Sequence, residues 1–320
     1  MNAADLLQTL EWTHLLPSGF DAPRTGIGDA IAPDPGLVHG ASNAATEEPG
    51  IDMLLVEVGA RPLALIHGPE RQLEALGAWA RMRGLVAWLS AHEFSPVRDP
   101  SRAGYSNVGQ NWQRARTDSG AWRGLLVGPG AEQVALAWLA MQAGWNEMLG
   151  VMLGYPPCCA RAYEKRWPIA RRSHDGDPGA MLMEASPNGA VHPWRLNVHA
   201  RYLGTSLVDW FPCTFECSRS LAVARRIERG LRIVAPEVLP GMRERMCTTV
   251  LRLAGEGTLF VRSHAGVRQV LPAHADGAAA QSLRQGAAIR ALGDAGVSID
   301  GFVYSGRMSE FSEDHPGVMQ

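Results

Sequence analysis

Tyr155-Pro156-Pro157-Cys158-Cys159 and Trp210-Phe211-Pro212-Cys213-Thr214-Phe215-Glu216-Cys217 decide how this chain is read. Both stretches run aromatic, proline, cysteine and lead into helix-like sequence. Proline at the head of a helix has its φ already set and gives up no needed hydrogen bond, so each proline predicts a helix start. A cysteine there meets free N–H groups and the positive end of the helix dipole, which favour the thiolate, the form that binds metals. On the second predicted helix Cys213 and Cys217 stand at i and i+4, so their sulfurs share one face. Leu221, Ala224 and Ile227 continue that face, while Arg225, Arg226, Glu228 and Arg229 lie away from it. The sulfurs are therefore expected to point inward.

Four thiolates brought together by helix packing suit zinc or an iron–sulfur cluster. Structural zinc favours cysteines two to four residues apart on a tight knuckle. Here one pair is adjacent and the other is read as lying on a helix face, an arrangement that separate irons of a cluster accept more easily than one small ion. A 4Fe–4S cluster on Cys158, Cys159, Cys213 and Cys217 is the favoured reading; zinc, mononuclear iron and thiol chemistry stay open. Cys247 reads as core packing, the usual state of a lone cysteine. His199, Arg201 and Asp209 stand just before the second pair, and three roles are expected of them: His199 as ligand or proton donor, Arg201 as anion holder, Asp209 as acid or base. His199 and Arg201 are expected to face a solvent-reachable cavity beside the thiolates. The basic residues 161, 165, 166, 171 and 172 read as an exposed face that could also draw in an anionic substrate or a redox partner.

Gly154-Tyr155-Pro156-Pro157-Cys158-Cys159 and Pro212-Cys213-Thr214-Phe215-Glu216-Cys217 resemble the paired Gly-Tyr-Pro-x-Cys-Cys and Pro-Cys-x-x-x-Cys elements of an uncharacterised archaeal and bacterial family, carried as a domain of unknown function. The resemblance covers roughly residues 150–230. It implies a shared cysteine site and brings no activity with it.

At 320 residues, 46% hydrophobic and 19% charged, the chain has ample material for one large or two modest domains. A net charge of −2 argues against a general nucleic-acid binder. Nearly all the positive charge is arginine, Lys165 being the only lysine. Met1 to Leu6 lacks the basic start and apolar run of a signal peptide. The most apolar stretch, Val134 to Leu153, is broken by Gln142, Asn146 and Glu147, so no membrane span is expected. The cytoplasm is then the expected compartment, where thiols stay reduced and clustered cysteines bind metals or catalyse.

The pattern reads as α/β, or α+β, with small mixed sheets flanking a helical cysteine-bearing module. Residues 1–50 hold a short helix over 1–16 and an irregular segment, in which Gly26-Ile27-Gly28 is a turn. Residues 51–150 form an α/β unit: strands over Met53–Val58, Pro62–Ile66, Leu85–Leu89 and Leu125–Val127, helices over Pro69–Arg83 and Val134–Met148, and a long loop over Ala91–Trp122. Gly128-Pro129-Gly130 lacks the third glycine of a dinucleotide loop and reads as a capping turn. Residues 151–232 form the four-cysteine module, with a long connection over Pro168–Thr205. Residues 233–305 return to α/β, with helices over Met242–Leu253 and Asp276–Ala295 and strands over Thr258–Arg262, Val267–Leu271 and Ser298–Tyr304. Residues 306–320 are a loose tail.

The reading favours an iron–sulfur enzyme, an oxidoreductase or lyase acting on a small molecule in specialised bacterial metabolism. A structural zinc scaffold and a thiol oxidoreductase or sulfur-transfer protein are the alternatives. No Cys-x-x-x-Cys-x-x-Cys triad is present, which argues against radical S-adenosylmethionine chemistry.

Overall fold

The computed structural model describes residues 50–96, 109–114, 122–143, 145–173, 177–203, 205–254, 257–264, 267–271 and 277–313. The expected N-terminal helix, the Gly26-Ile27-Gly28 turn and the end of the tail lie outside them. The chain is α/β and divides into two compact units. One holds the described parts of 50–164 with Arg229–Val234, the other the described parts of 165–228 and 235–313.

The first unit is built on an antiparallel four-stranded sheet: β1 (Ala64–Pro69), β2 (Val86–Pro96), β3 (Gly109–Arg114) and β4 (Trp122–Gly128), in the order β1-β4-β2-β3. The run Leu125-Leu126-Val127 explains the layers. Alternate side chains of a strand point to opposite faces, so a strand apolar at every position must be covered on both. Leu125 and Val127 pack with Met53 and Val56 of α1 (Ile51–Glu57) and with Leu73, Leu76 and Ala80 of α2 (Glu70–Met82). Leu126 packs on the other face with Val134, Ala137 and Met141 of α3 (Ala131–Ala143) and Leu149 of α4 (Asn146–Met152). Burial of each leucine, valine and methionine side chain here stabilises by roughly 1.5–3 kcal/mol. At Gly128 a Cβ would stand 2.2 Å from Leu63 Cδ2 and 3.1 Å from Val134 Cγ2, so this glycine serves close packing.

Three expectations are corrected here. Met53–Val58 lies in helix α1 and not in a strand, because a short apolar run has no decisive period. The stretch read as a loop over Ala91–Trp122 contains the end of β2 and all of β3. The continuous helix expected over Val134–Met148 is two helices, α3 and α4.

The second unit carries α6 (Pro178–Ala185), 3₁₀ turns at Trp194–Leu196 and Val198–Leu203, α7 (Ser218–Val234, whose last residues belong to the first unit) and α8 (Val238–Met246). Its five-stranded sheet contains β5 (Ala190–Pro193), β6 (Thr249–Leu253), β7 (Gly257–His264) and β8 (Val267–Leu271). A three-stranded sheet is made of β9 (Ile289–Ala291), β10 (Val297–Ile299) and β11 (Phe302–Tyr304), with α9 (Ala278–Arg284) preceding it. The larger sheet runs β5-β12-β6-β7-β8, β12 being Gly306–Ser312.

The expected loose tail is therefore corrected for residues 306–312. They form an inner strand, parallel to β5 and antiparallel to β6, with Met308 and Phe311 buried. Ser309 and Glu310 had disguised it. The helix expected over Met242–Leu253 gives way to β6 after Met246, and the one over Asp276–Ala295 stops at Arg284, two residues before Gly286 at φ +92°. Ser298–Tyr304 is a hairpin, turned by Asp300 and Gly301 at φ 51° and 88°. Asn188 ties the two sheets together: its amide donates to Gly293 O (2.7 Å) and Gly296 O (2.8 Å), and its Oδ1 accepts from Met308 N (2.7 Å). Glu228 of α7 is buried and pairs with Arg195 at 2.6 Å, so it does not lie on an open face as its charge suggested.

Candidate metal centre

The first cysteine pair lies on α5, Pro157–Ser173. Pro157 is its first residue, so Cys158 and Cys159 occupy the first turn, as the proline rule predicts. The Cys159 and Ala160 amides both donate to Pro156 O, at 2.8 and 3.0 Å. The packing before this turn is tight: a Cβ at Gly150 would meet Tyr155 Cδ2 at 3.1 Å and Ala160 Cβ at 3.2 Å. The helix continues through Pro168 to Ser173, past the point where the sequence reading ended it. Proline there costs one ladder hydrogen bond and not the helix.

The second pair differs from expectation. Helix α7 begins at Ser218, so Cys213 to Cys217 form a turn ahead of it and not a helix face. Two sets of hydrogen bonds accompany this. A helix running through the pair would need the carbonyls of Pro212 and Cys213 for the amides four residues on. Both carbonyls accept instead from Arg166, whose Nη1 donates to Pro212 O at 3.3 Å and whose Nη2 donates to Cys213 O at 2.9 Å. The Cys217 amide turns instead to Thr214 O at 3.2 Å, and Cys217 O accepts the first α7 bond, from Leu221 N at 2.9 Å. The pair thus sits on a short knuckle, with Phe215 buried beneath it.

The four sulfurs come together. The Sγ atoms of Cys158, Cys159, Cys213 and Cys217 all lie within 4.8 Å of one another, and the Cys158 and Cys159 sulfurs are 3.8 Å apart. Cys159 and Cys217 are buried, and Cys158 and Cys213 are partly exposed. Four thiols this close are a donor set for a metal ion. Arg161 pairs with Glu147 at 3.0 Å; that hydrogen bond and charge hold its guanidinium protonated, and the charge of Cys158 acts in the same sense.

The expected catalytic residues lie inside the second unit. His199 is 1% exposed and Arg201 5%. Burial lowers the His199 pKa to about 4; Asp177 opposes the shift, and Arg252 and Arg201 add to it. The His199 ring lies 5.9 Å from Phe215, centroid to centroid, and 6.2 Å from Tyr202. Arg201 lays its guanidinium over Phe211 at 4.1 Å and donates from Nε to Val198 O at 2.9 Å. Asp209 is 8% exposed. Asp177, fully buried, accepts from Gly179 N at 2.9 Å and pairs with Arg252 at 3.3 Å. His199 thus stands against Phe215 of the knuckle, and Arg201 against Phe211 just before it. None of these polar residues belongs to the ligand cluster, which is made of cysteines alone.

Two residues of consequence escaped the sequence reading. Arg166 was placed on an exposed basic face; it stands seven residues after Cys159, hence on the same side of a helix, and that spacing was the available signal. His67 on β1 carried none. It is fully buried, edge-on to Phe94 at 5.7 Å, with neither ring nitrogen hydrogen-bonded among the described residues, and burial lowers its pKa to about 3.

No protein-family model, no curated protein and no solved structure matches this chain. No helix among the described residues is long and apolar enough to cross a membrane.

Proposed function

We propose that Cys158, Cys159, Cys213 and Cys217 hold a single tetrahedral zinc ion, and that the ion is structural, fastening the first turn of α5 to the knuckle before α7. The spacing of the sulfurs carries this reading. Zinc–sulfur bonds of about 2.3 Å place the sulfurs of a regular tetrahedron about 3.8 Å apart. In a 4Fe–4S cubane each thiolate reaches a different iron, which spreads the sulfurs to about 6 Å. Separations of 3.8 Å for one pair and no more than 4.8 Å for any favour the single ion. The Cys213–Cys217 knuckle supports it further, because three residues between two cysteines is a spacing that structural zinc sites use. Among divalent ions that accept four thiolates, zinc binds such a site more tightly than iron does. Four protein ligands close the coordination shell, so the ion supplies folding energy and no open position for substrate.

Metal analysis of anaerobically purified protein tests this. One zinc per chain in colourless protein, with cobalt replacement giving the absorption of a tetrahedral tetrathiolate, is the expected result. Brown protein with stoichiometric iron and acid-labile sulfide would overturn it and restore the iron–sulfur enzyme. Iron without sulfide would keep the single-ion geometry and change the metal.

A further inference from the structure

We infer that Arg166 is a positioning residue of the metal site, holding the Cys213–Cys217 knuckle in the conformation that delivers both sulfurs to the ion. The inference rests on the single-ion reading above. Arg166 donates to two successive carbonyls, Pro212 O at 3.3 Å and Cys213 O at 2.9 Å, the second belonging to a ligand residue itself. Those carbonyls are the ones that would otherwise close the first turn of a helix through Cys213 and Cys217. By bonding both from one planar group, the guanidinium holds them in the directions of the knuckle, in which the Cys217 amide donates to Thr214 O. Arg166 also rides on the helix that carries Cys158 and Cys159. The helix that carries two of the ligands thus also carries the planar fork bonded to the backbone at the other two. A guanidinium can hold two acceptors in fixed directions, whereas an ammonium is a rotating point donor. A divalent ion on four thiolates leaves two negative charges, and a cation on the Cys213 carbonyl offsets part of them.

Residues that orient metal ligands without touching the ion change metal affinity about 10- to 100-fold when removed. The experiment compares full-length zinc-loaded wild type, R166K, R166Q and R172Q, the last an exposed arginine of the same helix. The readouts are the rate of zinc release to a chromophoric chelator, the cobalt absorption spectrum and the melting point of the metal-free forms. Expected is one zinc per chain in every variant, with release from R166Q about 10- to 100-fold faster than wild type, R166K between them and R172Q unchanged. The cobalt bands of R166Q should broaden or shift, a change that loss of general stability would not produce. Release from R166Q at the wild-type rate, with unchanged cobalt bands, overturns the inference. If R166Q does not accumulate as folded protein, R166K decides: faster release than wild type supports the role, and equal release ends it. Wild type holding an iron–sulfur cluster or no metal would instead overturn the single-ion reading, and the role of Arg166 with it.

Discussion

The two cysteine pairs carry the same local signature and adopt different structures. After Pro157 the chain enters a helix at once, and Cys158 and Cys159 stand on its first turn. After Pro212 the helix waits until Ser218. Proline permits a helix start in both places, and the residues behind it decide whether one occurs. Behind Pro157 come Ala160 and Arg161, good helix formers, and the Pro156 carbonyl is free to accept two amides. Behind Pro212 come Thr214 and Phe215, which lose rotamer freedom in a helix, and a distant arginine claims the carbonyls. A local rule thus sets what is allowed, and in the second pair a side chain 46 residues earlier bonds the turn that forms.

Removing the metal should separate the pairs most strongly. Structural zinc supplies folding free energy directly, so chelation should lower the melting temperature by about 10 °C or more. Hydrogen exchange on the metal-free protein should show the Cys217 amide losing protection well before those of Cys159 and Ala160, which keep their bonds to Pro156 O. Equal loss at both pairs would mean that the first helical turn also depends on the ion.

Single substitutions sharpen the contrast next. Cys158→Ser, Cys159→Ser, Cys213→Ser and Cys217→Ser should each abolish stoichiometric zinc. In the metal-free state Cys159→Ser should cost about 1–3 kcal/mol, because its hydroxyl is buried in a packed helix turn. Cys158→Ser and Cys213→Ser, partly exposed, should cost under about 1 kcal/mol. Urea unfolding of the four metal-free variants measures this, and an inverted order would show that burial does not set the cost.

The sequence made the ligand set legible because four cysteines with matched flanks are rare and their chemistry is local. It misjudged the conformation of the second pair because the deciding contact, Arg166, is not local. The fold divides along the same line. The α/β class, β4 and α2 can be read from periods and turn residues. Leu54-Leu55-Val56 suits helix or strand equally, and the helix is the form in which Met53 and Val56 pack with Leu125 and Val127. Gly306–Ser312 reads as tail because its polar residues hide the alternation, yet it pairs on both sides. His199 and Arg201 are expected at a cavity because they stand on a long connection close in sequence to Cys213; both are buried against the aromatic rings of the second unit.

Acid should distinguish the regions by a different group in each. His67 in the first unit and His199 beside Phe215 are held neutral by burial, with pKa values of about 3 and about 4 against an ordinary 6.5. Both folded values are depressed, so the unfolded chain takes up the protons first. The stability these groups contribute is complete above pH 6.5 and is lost as pH falls from there toward 4, by up to about 1.4 kcal/mol per pH unit for each. Urea unfolding of metal-free protein between pH 7 and 4.5, where no thiolate–metal bond confuses the slope, is the measurement. His67→Leu should flatten the slope by its share; an unchanged slope would show that His67 is already protonated in the folded protein.

The smallest effect belongs to the cysteine outside both pairs. Cys247 caps the end of α8, its Sγ 3.8 Å from Glu313 Oε1. Burial first, and then the Glu313 charge, push its thiol up to about 12, while Arg243 and Arg195 pull the other way. A thiol held that far above neutrality is a poor nucleophile and a poor metal ligand, since both roles need the thiolate. Cys247→Ser should leave one zinc per chain and change stability by no more than about 0.5 kcal/mol, the serine hydroxyl donating to the same carboxylate. In the zinc-loaded protein at pH 7.5 Cys247 should also alkylate far more slowly than a free thiol, and chelation should speed labelling of Cys158 and Cys213 while leaving Cys247 slow. Loss of zinc in Cys247→Ser, or labelling of Cys247 at the rate of a free thiol, would place it among the ligands or the reactive groups and break the division between it and the four clustered cysteines.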